Sequence, residues 1–198
     1  GVQRARQLGY TTERDGYLFH SLMLQFGSYF DTDPQYPWLA KTLADEAVGS
    51  RSERLANAHD AAVEFLDCVV GPEGEHMTLA LRRAHAMVVP DLRRERKIGF
   101  QSVLSILSSM WPQKFERVGE RAVRELAQSA IPAVESLGLN SGASAWLYVV
   151  ACFLFGHGMD RDPQFPWVAG LLRIGERRDA PARSFPDALD MHLRALEG

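Results

Sequence analysis

Apolar residues recur at spacings of three and four along most of the chain. Tyr17, Leu18, Leu22, Met23 and Phe26 share one helix, and Leu55, Ala58, Ala62, Phe65, Leu66 and Val69 another. Phe185, Leu189, Leu193 and Leu196 form a third. That is the 3.6-residue period of helices buried on one face. No stretch sustains a period of two or carries a two-residue hairpin signal. The pattern predicts an all-α fold, a multi-helix bundle of about nine or ten helices. They are expected near 12–26, 37–47, 52–70, 77–88, 91–111, 112–135, 141–155, 166–175 and 184–197, after a short helical run Val2–Leu8. The 141–155 helix is apolar nearly all round (Trp146, Leu147, Val150, Phe153, Leu154), which predicts a central buried element.

A fifteen-residue stretch occurs twice. Residues 26–40 read FGSYFDTDPQYPWLA and residues 155–169 read FGHGMDRDPQFPWVA, identical at nine of fifteen positions. The offset is 129 for Asp31 and Asp160, and again for Trp38 and Trp167. We read this as an internal duplication, two helix–loop–helix units related by a pseudo-twofold axis. Gly27 and Gly156 end the preceding helices, as Gly9 and Gly138 end the ones before, since glycine enters positive φ without steric cost. Thr12 and Ser141 are N-cap residues, and Thr12 with Asp15 resembles a capping box. In the loops, Asp33-Pro34-Gln35 and Asp162-Pro163-Gln164 predict an aspartate N-cap followed by proline at the first helical position. Pro37 and Pro166 open the longer helices, and Trp38 and Trp167 are expected to anchor the loops in the core. Asp31 and Asp160 tie the loop to backbone or to an arginine.

The repeat sets the expected organisation. One all-α domain covers 1–198, with copy one about 1–71, linking helices about 72–111 and copy two about 112–198. Copy two has a long helix from Pro112 through Glu135, with a kink expected at Pro132. Copy one has only the last turns of its equivalent, so the chain reads as a fragment of a longer one.

Composition narrows the classes. The chain is 46% hydrophobic and 24% charged, with a net charge of −3. That is ordinary for a globular protein and predicts neither nucleic-acid attraction nor an acidic tail. No apolar run approaches the roughly 20 residues a membrane span needs. Cys68 and Cys152 sit in apolar helical patterns and are expected to be buried free thiols in a reducing compartment. The basic run Arg93-Arg94-Glu95-Arg96-Lys97 and the looser Arg173, Arg177, Arg178, Arg183 cluster read as solvated helix faces.

Candidate chemistry is sparse. The aspartate pairs offer hard oxygen ligands to Ca²⁺ or Mg²⁺, but the regular ligand spacing of a calcium loop is missing. His59-Asp60, with His20, His85 and Asp91, suits a metal-dependent helical hydrolase, the alternative reading. The apolar-Gly context that usually follows such a His-Asp pair is replaced by Ala61-Ala62-Val63. No nucleophile elbow, phosphate-binding glycine loop or Cys-x-x-Cys appears. No catalytic residue, metal or cofactor is therefore assigned.

The pattern helix–FG–x3–DxDP–x–[YF]PW, carried by both copies, resembles a poorly characterised all-helical bacterial family associated with genes near contractile (type VI) secretion systems. The resemblance implies an accessory role: a non-enzymatic protein-interaction module such as an adaptor, an immunity partner or an effector-associated domain. It implies a cytoplasmic location, or delivery through the secretion system if the chain belongs to an effector.

Overall fold

The computed structural model describes residues 2–88, 99–139, 142–175 and 185–197. Among these residues the secondary structure is all helical, with no strand. The elements are α1 (Val2–Gln7), α2 (Glu13–Phe26), a 3-10 turn (Phe30–Thr32), α3 (Pro37–Ala44), α4 (Arg51–Val70) and α5 (Glu75–Arg83). A π-helical turn, Ala84–Val88, continues α5. Then come α6 (Phe100–Met110), α7 (Pro112–Ser129), α8 (Ile131–Ser136), α9 (Gly142–Phe155), α10 (Pro166–Gly175) and α11 (Phe185–Glu197).

Local signals set most boundaries. Thr12 Oγ1 accepts from Asp15 N–H at 3.1 Å and caps α2. The capping box proper lies at α4, where Ser50 and Glu53 bond reciprocally. The carboxylate of Asp15 instead accepts from Ser52 Oγ at 2.8 Å and ties α2 to α4. Gly9 and Gly138 end α1 and α8 with the same paired bonds. Tyr10 N–H reaches Ala5 O and Gly9 N–H reaches Arg6 O, while Leu139 N–H reaches Val134 O and Gly138 N–H reaches Glu135 O. Those are two Schellman motifs at the 129 offset.

The expected long helix of the second half is divided. Gly119, at φ 79° and ψ 159°, interrupts α7 in a region open only to glycine. A second break at Ala130 places Pro132 near the start of α8, where its missing N–H costs no helical bond. α3 stops at Ala44, short of the expected 47. The Ser141 cap, the helix start at Asp91, the 93–97 basic run and Arg177, Arg178 and Arg183 lie outside the described residues, as does the side chain of Arg173.

One core, built from α2, α3 and α4, buries Phe19, Leu22, Phe26, Phe30, Leu39 and Leu55. The other surrounds α9, where Leu147, Tyr148, Val149, Val150, Ala151, Cys152 and Phe153 are all buried, as its all-round apolar pattern predicts. Phe65, Leu66 and Val118 pack against both cores. α4 and α11 each set one ring among the aromatic residues of a repeated loop. Phe65 touches Phe26, Tyr36 and Trp38, and His192 touches Phe155, Phe165 and Trp167. No described helix is long and apolar enough to cross a membrane.

Trp38 and Trp167 are only half-buried, at the rims of these ring clusters, while Tyr36 is buried. Each tryptophan stands in the first turn of its helix, one residue beyond the loop. Cys152 is buried and Cys68 is exposed, its sulfur 2.9 Å from Arg117 Nη2. Cys68 thus departs from the expected buried thiol.

Candidate functional site

The two signature loops meet and hold each other. Asp162 accepts from Ser28 N–H at 2.7 Å and Ser28 Oγ at 2.6 Å. Asp33 accepts from His157 N–H at 2.7 Å. Gln35 Nε2 donates to Cys152 O at 3.0 Å, and Gln164 Nε2 donates to Met23 O at 2.8 Å. Every partner matches at the 129 offset: Ser28 with His157, Met23 with Cys152. The bonds form a reciprocal clasp between the halves. At its centre the backbones touch. Gly27 (φ 90°) and Gly156 (φ 102°) face each other, and a Cβ on Gly156 would collide with the Phe26 carbonyl. A Cβ on Gly27 would stand 3.1 Å from Phe155 O.

The aspartates do not act as helix N-caps. Tyr36 N–H bonds Asp33 O at 3.0 Å and closes a turn over Pro34 and Gln35, and Phe165 N–H does the same with Asp162 at 3.0 Å. Within each turn one carboxylate oxygen accepts from Gln35 N–H or Gln164 N–H at 2.9 Å. The helices begin only at Pro37 and Pro166. An aspartate before a proline favours this side-chain-to-backbone turn as much as a cap. Here the remaining lone pairs take the donors of the other half.

Both carboxylates are buried, with Asp33 and Asp162 each 3% exposed. Desolvation raises the pKa of Asp33, opposed by the His157 and Gln35 backbone donors and by the Lys114 charge. Lys114 is buried among the rings of Trp111, Phe153 and Tyr36, with Nζ 4.9, 4.9 and 5.5 Å from their centroids. It donates to the Phe153 carbonyl near the negative end of α9. Burial lowers its pKa to about 7, against the upward pull of Asp33.

Beside the clasp, the second half opens into a cleft of about 370 Å³. Ser129, Ala133, Tyr148, His157, Asp160 and Arg161 are among its lining residues. Asp160 Oδ1 accepts from Tyr148 OH at 2.8 Å, and Arg161 Nε stands 3.6 Å from Oδ2. Ser129 Oγ lies 3.3 Å from His157 Nδ1 and donates to Leu126 O at 2.8 Å. With the hydroxyl proton on that carbonyl, Nδ1 must be the donor to Oγ, the reverse of a serine activated by a histidine base. Burial raises the pKa of the Cys152 thiol, with the Asp33 charge adding to it, and disfavours the thiolate a nucleophile needs.

The corresponding place in the first half is filled. Arg4, at the position of Ala133, donates to Asp31 Oδ1 and to the Ser28 carbonyl, both at 2.5 Å. Its guanidinium lies 4.7 Å from the Tyr29 ring centroid, where the second half has Gly158. Asp31 therefore meets the arginine expected of it, and Asp160 meets Tyr148 as well as the neighbouring Arg161. Sequence reasoning passed over the cleft, though its signal was present: at the 129 offset, Arg4 and Tyr29 face Ala133 and Gly158.

The residues of the hydrolase alternative are not gathered. His59 Nδ1 lies 3.9 Å from its neighbour Asp60, His85 Nε2 lies 3.3 Å from Asp190, and Asp91 is outside the described residues. Among the described residues no group of three His, Cys, Asp or Glu side chains is placed to hold a metal ion. Comparison with protein-family models, with curated proteins and with solved structures finds no match to this chain.

Proposed function

We propose that the chain is a non-enzymatic helical protein-interaction module, an accessory or adaptor domain working beside a bacterial contractile secretion system. The observation that carries this reading is the asymmetry beside the clasp. The repeated motif is turned inward to join the halves, and one of two equivalent sites is left open at the surface while the other is filled by Arg4. A recognition site on rigid, clasped elements is preorganised, which lowers the cost of binding. The place beside a secretion system rests on the resemblance of the repeated FG–x3–DxDP–x–[YF]PW pattern. The test is to co-express the chain with each protein encoded beside it and measure purified pairs by calorimetry. A stoichiometric complex with one neighbour is the expected result. Binding to none of them would sink the reading.

A further inference from the structure

Beside the clasp the repeat carries two corresponding acceptor sets, and the molecule itself shows what one of them takes. In the first half Asp31 and the Ser28 carbonyl receive the two arms of the Arg4 guanidinium, above the Tyr29 ring. At the 129 offset the second half has Asp160 and His157, which both line the cleft, and Ala133, whose side chain is too short to reach them. The surrounding helix ends agree, because α1 and α8 close with the same Schellman bonds. The backbone that carries Arg4 in one half thus carries Ala133 in the other, over an open cleft.

We infer that the cleft is a binding site for a guanidinium group supplied by a ligand. A planar fork of N–H donors matches a carboxylate with an adjacent carbonyl, as Arg4 demonstrates within the same chain. The cleft, about 370 Å³, falls within the range of roughly 300–1,000 Å³ usual for small-ligand sites. Asp160 is held in place by the buried Tyr148, whose counterpart Phe19 has no hydroxyl. The nearest competing cation is Arg161, whose side chain is 61% exposed and 3.6 Å from Oδ2. An incoming guanidinium displaces that contact and leaves Arg161 over Tyr29, where its Cζ already lies 4.9 Å from the ring centroid.

The guanidinium could come from free arginine-like metabolites or from an arginine of a protein partner. The second source rests on the interaction-module reading, and the first does not. The test titrates the full chain with Nα-acetyl-arginine methylamide, with its lysine analogue, and with Gly-Gly-Arg-Gly-Gly, at matched ionic strength, by calorimetry. The arginine compounds are expected to bind and the lysine analogue to bind more weakly. Asp160→Asn is expected to weaken binding roughly tenfold or more, the scale of a hydrogen bond to a charged group. Ala133→Arg, which rebuilds the arrangement of the first half, is expected to abolish it. Both variants are checked for native helicity by circular dichroism. A second measurement uses Arg4→Ala: its lowered melting temperature should recover with the blocked arginine and not with the lysine analogue. Equal binding of the blocked arginine and the peptide identifies a small-molecule ligand, and tighter binding of the peptide identifies a protein ligand. No binding of either arginine compound, or binding unchanged by Ala133→Arg, overturns the site. A neighbour-encoded partner that still binds Ala133→Arg would leave the interaction module standing without this site. Binding of the blocked arginine with no protein partner would do the opposite.

Discussion

In the first half of the molecule the aspartate at the edge of the clasp is bound by Arg4, from the preceding helix; in the second half that helix offers Ala133, and the counterpart aspartate lines a cleft beside it. The inward bonds of the two halves agree residue for residue. The positions flanking the clasp do not: Arg4, Phe19, Tyr29 and Phe65 stand opposite Ala133, Tyr148, Gly158 and His192. The difference separates two demands on one motif. Residues whose partners belong to the other half are constrained in pairs, because each buried donor left without an acceptor costs about 1–3 kcal/mol. Residues outside those paired bonds are free to become different things.

The sharpest way to break the comparison is at its centre. Gly156→Ala puts a Cβ against the Phe26 carbonyl at a positive φ, and should cost about 3 kcal/mol or more from strain and overpacking together. Gly27→Ala has more room and should cost less. Urea denaturation of both variants measures the order, and equal costs would mean the backbone contact is not asymmetric.

Next comes Asp162→Ala, which strands Ser28 N–H, Ser28 Oγ–H and Gln164 N–H inside the protein. About 3 kcal/mol should be lost, well beyond the roughly 1 kcal/mol of a helix cap. A loss near 1 kcal/mol would return the aspartate to a local role.

Lys114 supplies a test by pH. Its folded pKa is depressed to about 7, below an unfolded value near 10.4. Between those values the unfolded chain binds more protons, so stability rises with pH from about 7 to about 10. Lys114→Met should flatten that rise in denaturation series at pH 7, 8 and 9. A slope that survives the substitution would assign it to another group.

The smallest effect belongs to His192, which takes the place of Phe65 among three rings. Burial lowers its pKa, so the folded state resists protonation and stability falls as pH drops through the histidine range. His192→Phe should remove that acid loss and add about 1 kcal/mol by completing the aromatic cluster. A stability-against-pH curve identical to the parent's would refute it.

How much of this the sequence carried depends on range. Helix identities, the glycine stops and the 129-residue offset are local patterns, and they were legible. The role of Asp33 and Asp162 was misread because half their partners lie in the other half, more than a hundred residues away. Near the aspartate, a cap and a turn look alike. Gly119 was hidden for a different reason: the helical pattern runs through it on both sides, and a lone glycine within such a pattern is often tolerated. The cleft needed the two halves to be read against each other at positions where they differ.

The reciprocal bonds also bear on how the chain acquires its structure. Helical proteins fold fast because most of their contacts are close in sequence. Here the bonds from Ser28 to Asp162 and from Gln164 to Met23 span 134 and 141 residues. Closing a loop of that length has an entropic cost that nothing local repays. The clasp is therefore expected to form late, after the local helices, and to slow the folding of this chain relative to helical proteins whose contacts are all close in sequence.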